Sequence, residues 1–216
     1  MRRLLAVAVL LLGLLTGCGQ AGKDTAWVDE DVTFVADGLT IHGTYRHRGG
    51  DKGPAALLIS ESGATDRNGD NNVAGPIGNM RQLAEYLSEH GVASLRYDKV
   101  GTGATGLGRY ADEPADVGSL VYTGGAKSAV RFLAGQERPD ADRISVYALG
   151  EGTHHAMQLA DDTTEGAPRI HSLGLLQPLP ARYLDLISAR VDADIAAQVS
   201  NGDKTKQQGE QTLAAW

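Results

Sequence analysis

The chain has 216 residues, with 20 Lys and Arg against 27 Asp and Glu, a formal charge of −7 and one cysteine. An acidic chain without a basic cluster lacks the electrostatic footprint of a nucleic-acid binder. The lone cysteine excludes an internal disulfide, a thiolate metal site and a catalytic thiol in the folded part.

Residues 1–17 read as a targeting segment. Arg2 and Arg3 are followed by the apolar run Leu4 to Leu15, shorter than the roughly 20 residues a spanning helix needs. The ending Leu15-Thr16-Gly17-Cys18 resembles the bacterial lipoprotein signal, in which the cysteine is acylated and becomes the first residue. An ordinary secretory signal with a chance cysteine is the alternative. The lipoprotein reading makes 18–31 a tether, attaches the chain to a membrane through acyl groups on Cys18, and leaves 199 residues with a charge of −9.

The predicted elements follow in order. Val32–Phe34 and Leu39–Tyr45 alternate apolar and polar residues about Ala36-Asp37-Gly38, a hairpin signal. Ala55–Ser60 is continuously apolar, as for a strand buried on both faces. A Gly- and Asn-rich loop from Glu61 to Gly78 leads to helical spacing over Asn79–His90. Val92–Tyr97 is a strand, Leu120–Ala134 a helix and Ile144–Tyr147 a strand. Thr153–Ala160 is a helix and Ile170–Leu176 a strand, closed by Pro178 and Pro180. Strands alternating with helices predict an α/β three-layer sandwich with a mostly parallel sheet over residues 32–180. Right-handed crossovers gather the loops at Glu61, Asp98 and Leu149 on one rim, where such sheets bind ligands.

Three motifs on that rim carry a resemblance. Glu61-Ser62-Gly63-Ala64-Thr65-Asp66-Arg67-Asn68-Gly69-Asp70-Asn71 is similar to a G-S-G-x-x-D-R-(D/N)-G-(D/N)-N loop. Arg96 to Gly103 is similar to an R-Y-D-K-x-G-x-G stretch. Ala148-Leu149-Gly150-Glu151-Gly152 stands at the strand–turn–helix position of the nucleophile elbow G-x-S-x-G. From Val32 to Leu179 the chain resembles the α/β-hydrolase superfamily, and in particular bacterial carboxylesterase-like members. The resemblance implies oxyanion-hole amides on Glu61 or Ser62 and on Glu151, and a small acyl or ester ligand. It implies no metal or other cofactor. Asp66, Asn68 and Asp70 alternate as calcium ligands do, but Asx turns are the favoured role. Arg96, Asp98 and Lys99 are candidates for substrate contact, and for Arg96 and Asp98 a buried ion-paired brace is favoured.

The machinery itself is incomplete. Residue 150, which should supply the hydroxyl, is glycine, so the nucleophile position is vacant. Neither Ser145 nor Thr153 sits at the tip. Of the histidines only His154, His155 and His171 follow the elbow, and none follows a late acidic residue as the order Ser, Asp or Glu, His requires. The last strands of the fold have no counterpart. Residues 181–216 hold one amphipathic stretch, Leu184, Ile187, Val191, Ile195 and Val199, expected to pack on the core or cover the last strand, and then a polar tail. A sheet ending at Ile170–Leu176 exposes an edge open to self-association. Three functions stay open: a catalytically impaired esterase-like lipoprotein, a module that binds an acyl or peptide ligand without cleaving it, and a hydrolase using water activated by His154 or His155.

Overall fold

The computed structural model describes residues 26–178 and 182–215. The leader 1–17, Cys18 and residues 179–181 lie outside them. The turn residues Asp37 and Gly38 both take positive φ (49° and 76°), a geometry that suits the right-handed twist of a hairpin. They join β1 (Val28–Ala36) to β2 (Leu39–His47) in an unbroken antiparallel register from Val28↔His47 to Ala36↔Leu39. The ladder therefore starts four residues earlier than the alternation indicates, and residues 28–31 belong to the sheet and not to the tether. Their side chains are exposed, so no apolar pattern marks them.

Next come β3 (Gly53–Ile59), α1 (Asn79–Glu89), β4 (Ala93–Tyr97), α2 (Ser119–Ala134), β5 (Pro139–Leu149), α3 (Gly152–Ala160) and β6 (Ser172–Leu176). The sheet order is β1-β2-β4-β3-β5-β6, parallel from β4 to β6 and antiparallel where β2 meets β1 and β4. The strand β3 shows why it lies at the centre. Ala55, Leu57 and Ile59 enter the larger core cluster with α2 and α3, while Ala56 and Leu58 enter the smaller one with α1. With both faces buried, β3 has no polar position at which to alternate. The result is a three-layer α/β sandwich with its parallel C-terminal strand ends on one rim.

Further along the chain, α4 (Tyr183–Ser200) and α5 (Lys206–Ala214) form a helical pair. The expected packing of the Leu184–Val199 stripe on the sheet is not what occurs. Ile195 is buried, and a Cβ on Gly209 of α5 would stand 2.8 Å from Val199 Cγ2 and 3.3 Å from Ile195 Cγ2. The stripe serves a close helix–helix contact permitted by a glycine, while Leu184 stays 72% exposed. The edge strand β6 is left uncovered, with Leu175 and Leu176 exposed. Among the described residues no strand follows β6, and no helix is long and apolar enough to cross a membrane.

Candidate functional site

The strand–turn–helix over residues 148–152 forms, with glycine at its tip. At the end of β5 the chain reverses through Gly150 at φ 56°, the left-handed conformation that lifts one residue above a sheet edge. Both backbone groups of Gly150 are engaged. Its N–H donates to Leu176 O (3.0 Å), and its carbonyl accepts from Thr153 N (3.1 Å) and Thr153 Oγ1 (2.6 Å). Two residues on, a Cβ at Gly152 would lie 2.8 Å from Ser60 O and 2.9 Å from Ile59 O. Only glycine lets the first turn of α3 approach β3 so closely.

The other candidate nucleophiles are committed elsewhere. Thr153 is buried, with its hydroxyl on Gly150 O, and Ser145 Oγ is paired with Ser172 Oγ at 2.8 Å near the start of β5.

The first loop meets the elbow directly. Glu61 Cβ is 3.4 Å from where a Cβ on residue 150 would stand, so the position vacated by a hydroxyl borders one filled by a carboxylate-bearing side chain. Glu61 adopts this place without positive φ; that conformation falls on Gly63 (φ 71°). Ser62 is exposed and its carbonyl accepts from Thr65 Oγ1 (2.9 Å).

Beneath the loop lies Lys99, which is buried. Its Nζ donates to Ser60 Oγ (2.8 Å), Ser60 O (3.3 Å) and Glu61 O. In a trans peptide the C=O and the following N–H point in opposite directions. Fixing the carbonyls of residues 60 and 61 on the ammonium therefore turns the amides of Glu61 and Ser62 away from it. Burial pushes the Lys99 ammonium down to about 8; the carboxylates of Glu151, Glu61, Asp66 and Asp98 oppose that shift. Glu151 thus acts on Lys99 through its charge.

Of the three residues expected to make Asx contacts, Asp66 does: its Oδ1 accepts from Asn68 N (2.8 Å) and Asp70 N (3.0 Å). Asp70 Oδ1 instead accepts from Gly78 N (2.6 Å), eight residues on, and Asn68 Oδ1 from Arg96 Nε. Among the described residues no His, Cys, Asp or Glu cluster is arranged to hold a metal. Arg96 and Asp98 are both buried braces, though not with one another. Arg96 reaches Asp29 Oδ2 and Asn68 Oδ1, each at 3.3 Å. Asp98 accepts from Arg67 N and Ala104 N, each at 2.8 Å.

No histidine side chain is hydrogen-bonded to Gly150, Glu61 or Ser62 among the described residues. The His155 Nδ1 is 2.9 Å from Thr123 Oγ1, its ring meets Tyr122 edge-on, and its Nε2 is buried with no partner among the described residues. Burial, with the charges of His154 and Lys99, pushes its pKa down to about 4. His171 precedes β6 and donates its N–H to Ile144 O (2.7 Å), at the end of β5 opposite the elbow. His42, not singled out by sequence, stands at the rim end of β2, its N–H on Thr105 Oγ1 (3.0 Å). Three strand spacings separate β2 from β5, about 14 Å, well outside hydrogen-bond reach of residue 150.

The three-dimensional likeness is specific where sequence comparison is silent. No protein-family model and no curated protein sequence matches the chain. Among solved structures it is similar to the α/β hydrolase GrgF from Penicillium sp. sh18, at TM-score 0.56 and 20% identity over 81% of this chain and 54% of that one. It is also similar to the Pyrococcus furiosus esterase Pf2001, at TM-score 0.57 and 22% identity over 79% and 59%. Acetyl xylan esterase 1 from Thermoanaerobacterium sp. gives 0.57 and 17% over 87% and 61%. The chain has the α/β-hydrolase fold, and it spans less than two thirds of the length of each of these structures.

Proposed function

We propose that the chain is a lipid-anchored protein of the bacterial envelope that retains the esterase-type scaffold and lacks ester hydrolysis. One observation carries this reading: the elbow tip holds the left-handed geometry of a nucleophile and is Gly150. Glycine has no atom with which to attack an acyl carbon, and activation by a general base has nothing to act on. The Glu61 side chain starts 3.4 Å from where a Cβ on residue 150 would stand, and brings an acidic residue next to the tip. The acyl anchor on Cys18 supplies the membrane attachment, and the uncovered β6 edge is the surface for self-association.

A second reading, non-catalytic binding of an acyl or peptide ligand, is favoured by Lys99, which fixes two loop carbonyls and turns the amides of Glu61 and Ser62 away from its ammonium. Short-chain p-nitrophenyl esters test the pair. The expected outcome is no turnover above buffer, with saturable binding of a fatty acid marking the second reading. Turnover lost in His154→Ala or His155→Ala would replace both with water activation.

A further inference from the structure

At the end of the sheet opposite Gly150 lies a cleft of about 510 Å³, formed by Trp27, the β2–β3 loop and the starts of β4 and β5. Four cations line it, Arg48, Lys52, Arg138 and Arg143, against one carboxylate, Asp51. Asp140 and Asp142, between the two arginines on β5, do not. This is a concavity of net charge +3 on a chain of formal charge −7, a local reversal that concentrates anions. Two of the cations are pre-set: the Arg48 guanidinium stacks 5.1 Å over the Trp27 ring, and Arg138 Nη1 donates to Gly50 O, tying down the loop. Lys52 and Arg143 are exposed and, among the described residues, bonded to no carboxylate. Guanidinium forks and an ammonium converging on one hollow match the oxygens of a phosphate.

We propose that this cleft binds the phosphate of an anionic membrane lipid. The inference rests on the anchored reading above. Trp27, nine residues after Cys18 in sequence, lines this cleft. The rim stands away from it by the length of β3, seven residues or about 23 Å. An indole at the cleft mouth suits the boundary of a bilayer, where tryptophan places an apolar body beside a polar tip.

The test uses residues 18–216 carrying Cys18→Ser, which keeps every described element and removes the acyl anchor. Co-sedimentation is compared on phosphatidylcholine vesicles and on vesicles enriched in phosphatidylglycerol. Preferential, salt-sensitive binding to the anionic vesicles is expected, weakened about tenfold in Lys52→Glu/Arg143→Glu with an unchanged circular dichroism spectrum. Equal binding to both vesicle types, or no loss in the double variant, overturns the proposal. Displacement by millimolar inorganic phosphate overturns the lipid and assigns the cleft to a soluble phosphate. The anchor is scored separately by incorporation of labelled palmitate into the full chain at Cys18. Its failure sinks the anchored reading and leaves the vesicle result standing.

Discussion

At residue 150 the backbone conformation and the side chain point to different histories. A positive φ is normally assigned to glycine for conformational reasons, yet in a nucleophile elbow that strain is tolerated to present a hydroxyl. Gly150→Ser should therefore lower stability by about 1 kcal/mol, read from urea unfolding, because a Cβ is disfavoured at φ 56° and comes within 3.4 Å of Glu61. It should restore no ester turnover, since no histidine side chain is hydrogen-bonded to the tip among the described residues. An unchanged midpoint, or a gain in hydrolysis, would contradict this account of the site.

Lys99 is the residue that sequence undervalued. A lysine after an apolar strand reads as a rim charge, and only the fold shows its ammonium under Ser60 and Glu61. Its depressed pKa has a signed consequence. Between about pH 8 and 10.5 the unfolded chain holds this proton and the folded chain does not, so this group makes stability rise with pH across that window. Buried Tyr45, raised to about 12, and Tyr97, also raised, act oppositely above pH 10, where the unfolded phenols ionise first. For His155, lowered to about 4, stability present above pH 6.5 is lost as pH falls toward 4. Melting temperature against pH should therefore climb from 8, turn over above 10 and decline below 6.5. Loss of the acid limb in His155→Phe would confirm the last part, and its persistence would count against it.

Among the elements, the contact of α3 on β3 is the one with least room. Gly152→Ala sets a methyl within 3 Å of two backbone carbonyls that lie in a central strand, and overpacking of that kind costs roughly 1–3 kcal/mol. A melting temperature equal to wild type would show that the elbow can shift. The edge strand makes the opposite prediction, a gain from a polar change. Leu175→Lys on exposed β6 should leave the melting temperature unaltered and lower the apparent mass in light scattering, if pairing through that edge forms.

Elements with regular hydrophobic periods were legible in sequence: β3 from its unbroken apolar run, α1 and α2 from three- and four-residue spacing. The pairing of α4 was not, because a stripe states that a face is buried and leaves its partner unnamed. The second partner, α5, reads as a polar tail by composition. Its signal was the Thr205-x-x-Gln208 capping box, which the structure forms in both directions.

The whole molecule divides its sheet into two unlike ends. The rim carries the Gly150 turn, the Glu61–Gly78 loop and Lys99. The opposite end carries the cationic cleft lined by Trp27. Three rim motifs in order made the fold legible at a level of identity where no sequence family matches. The functional reading was less legible because catalysis depends on single atoms, and a glycine in a preserved backbone looks the same to the fold as a serine. The most direct measurement is the intact mass of the protein after exposure to a reactive alkyl phosphonate ester, which labels activated hydroxyl, phenol or imidazole nucleophiles. The account predicts no adduct on any residue of the described rim. A stoichiometric adduct, mapped by peptide mass to a side chain beside Gly150, would contradict it.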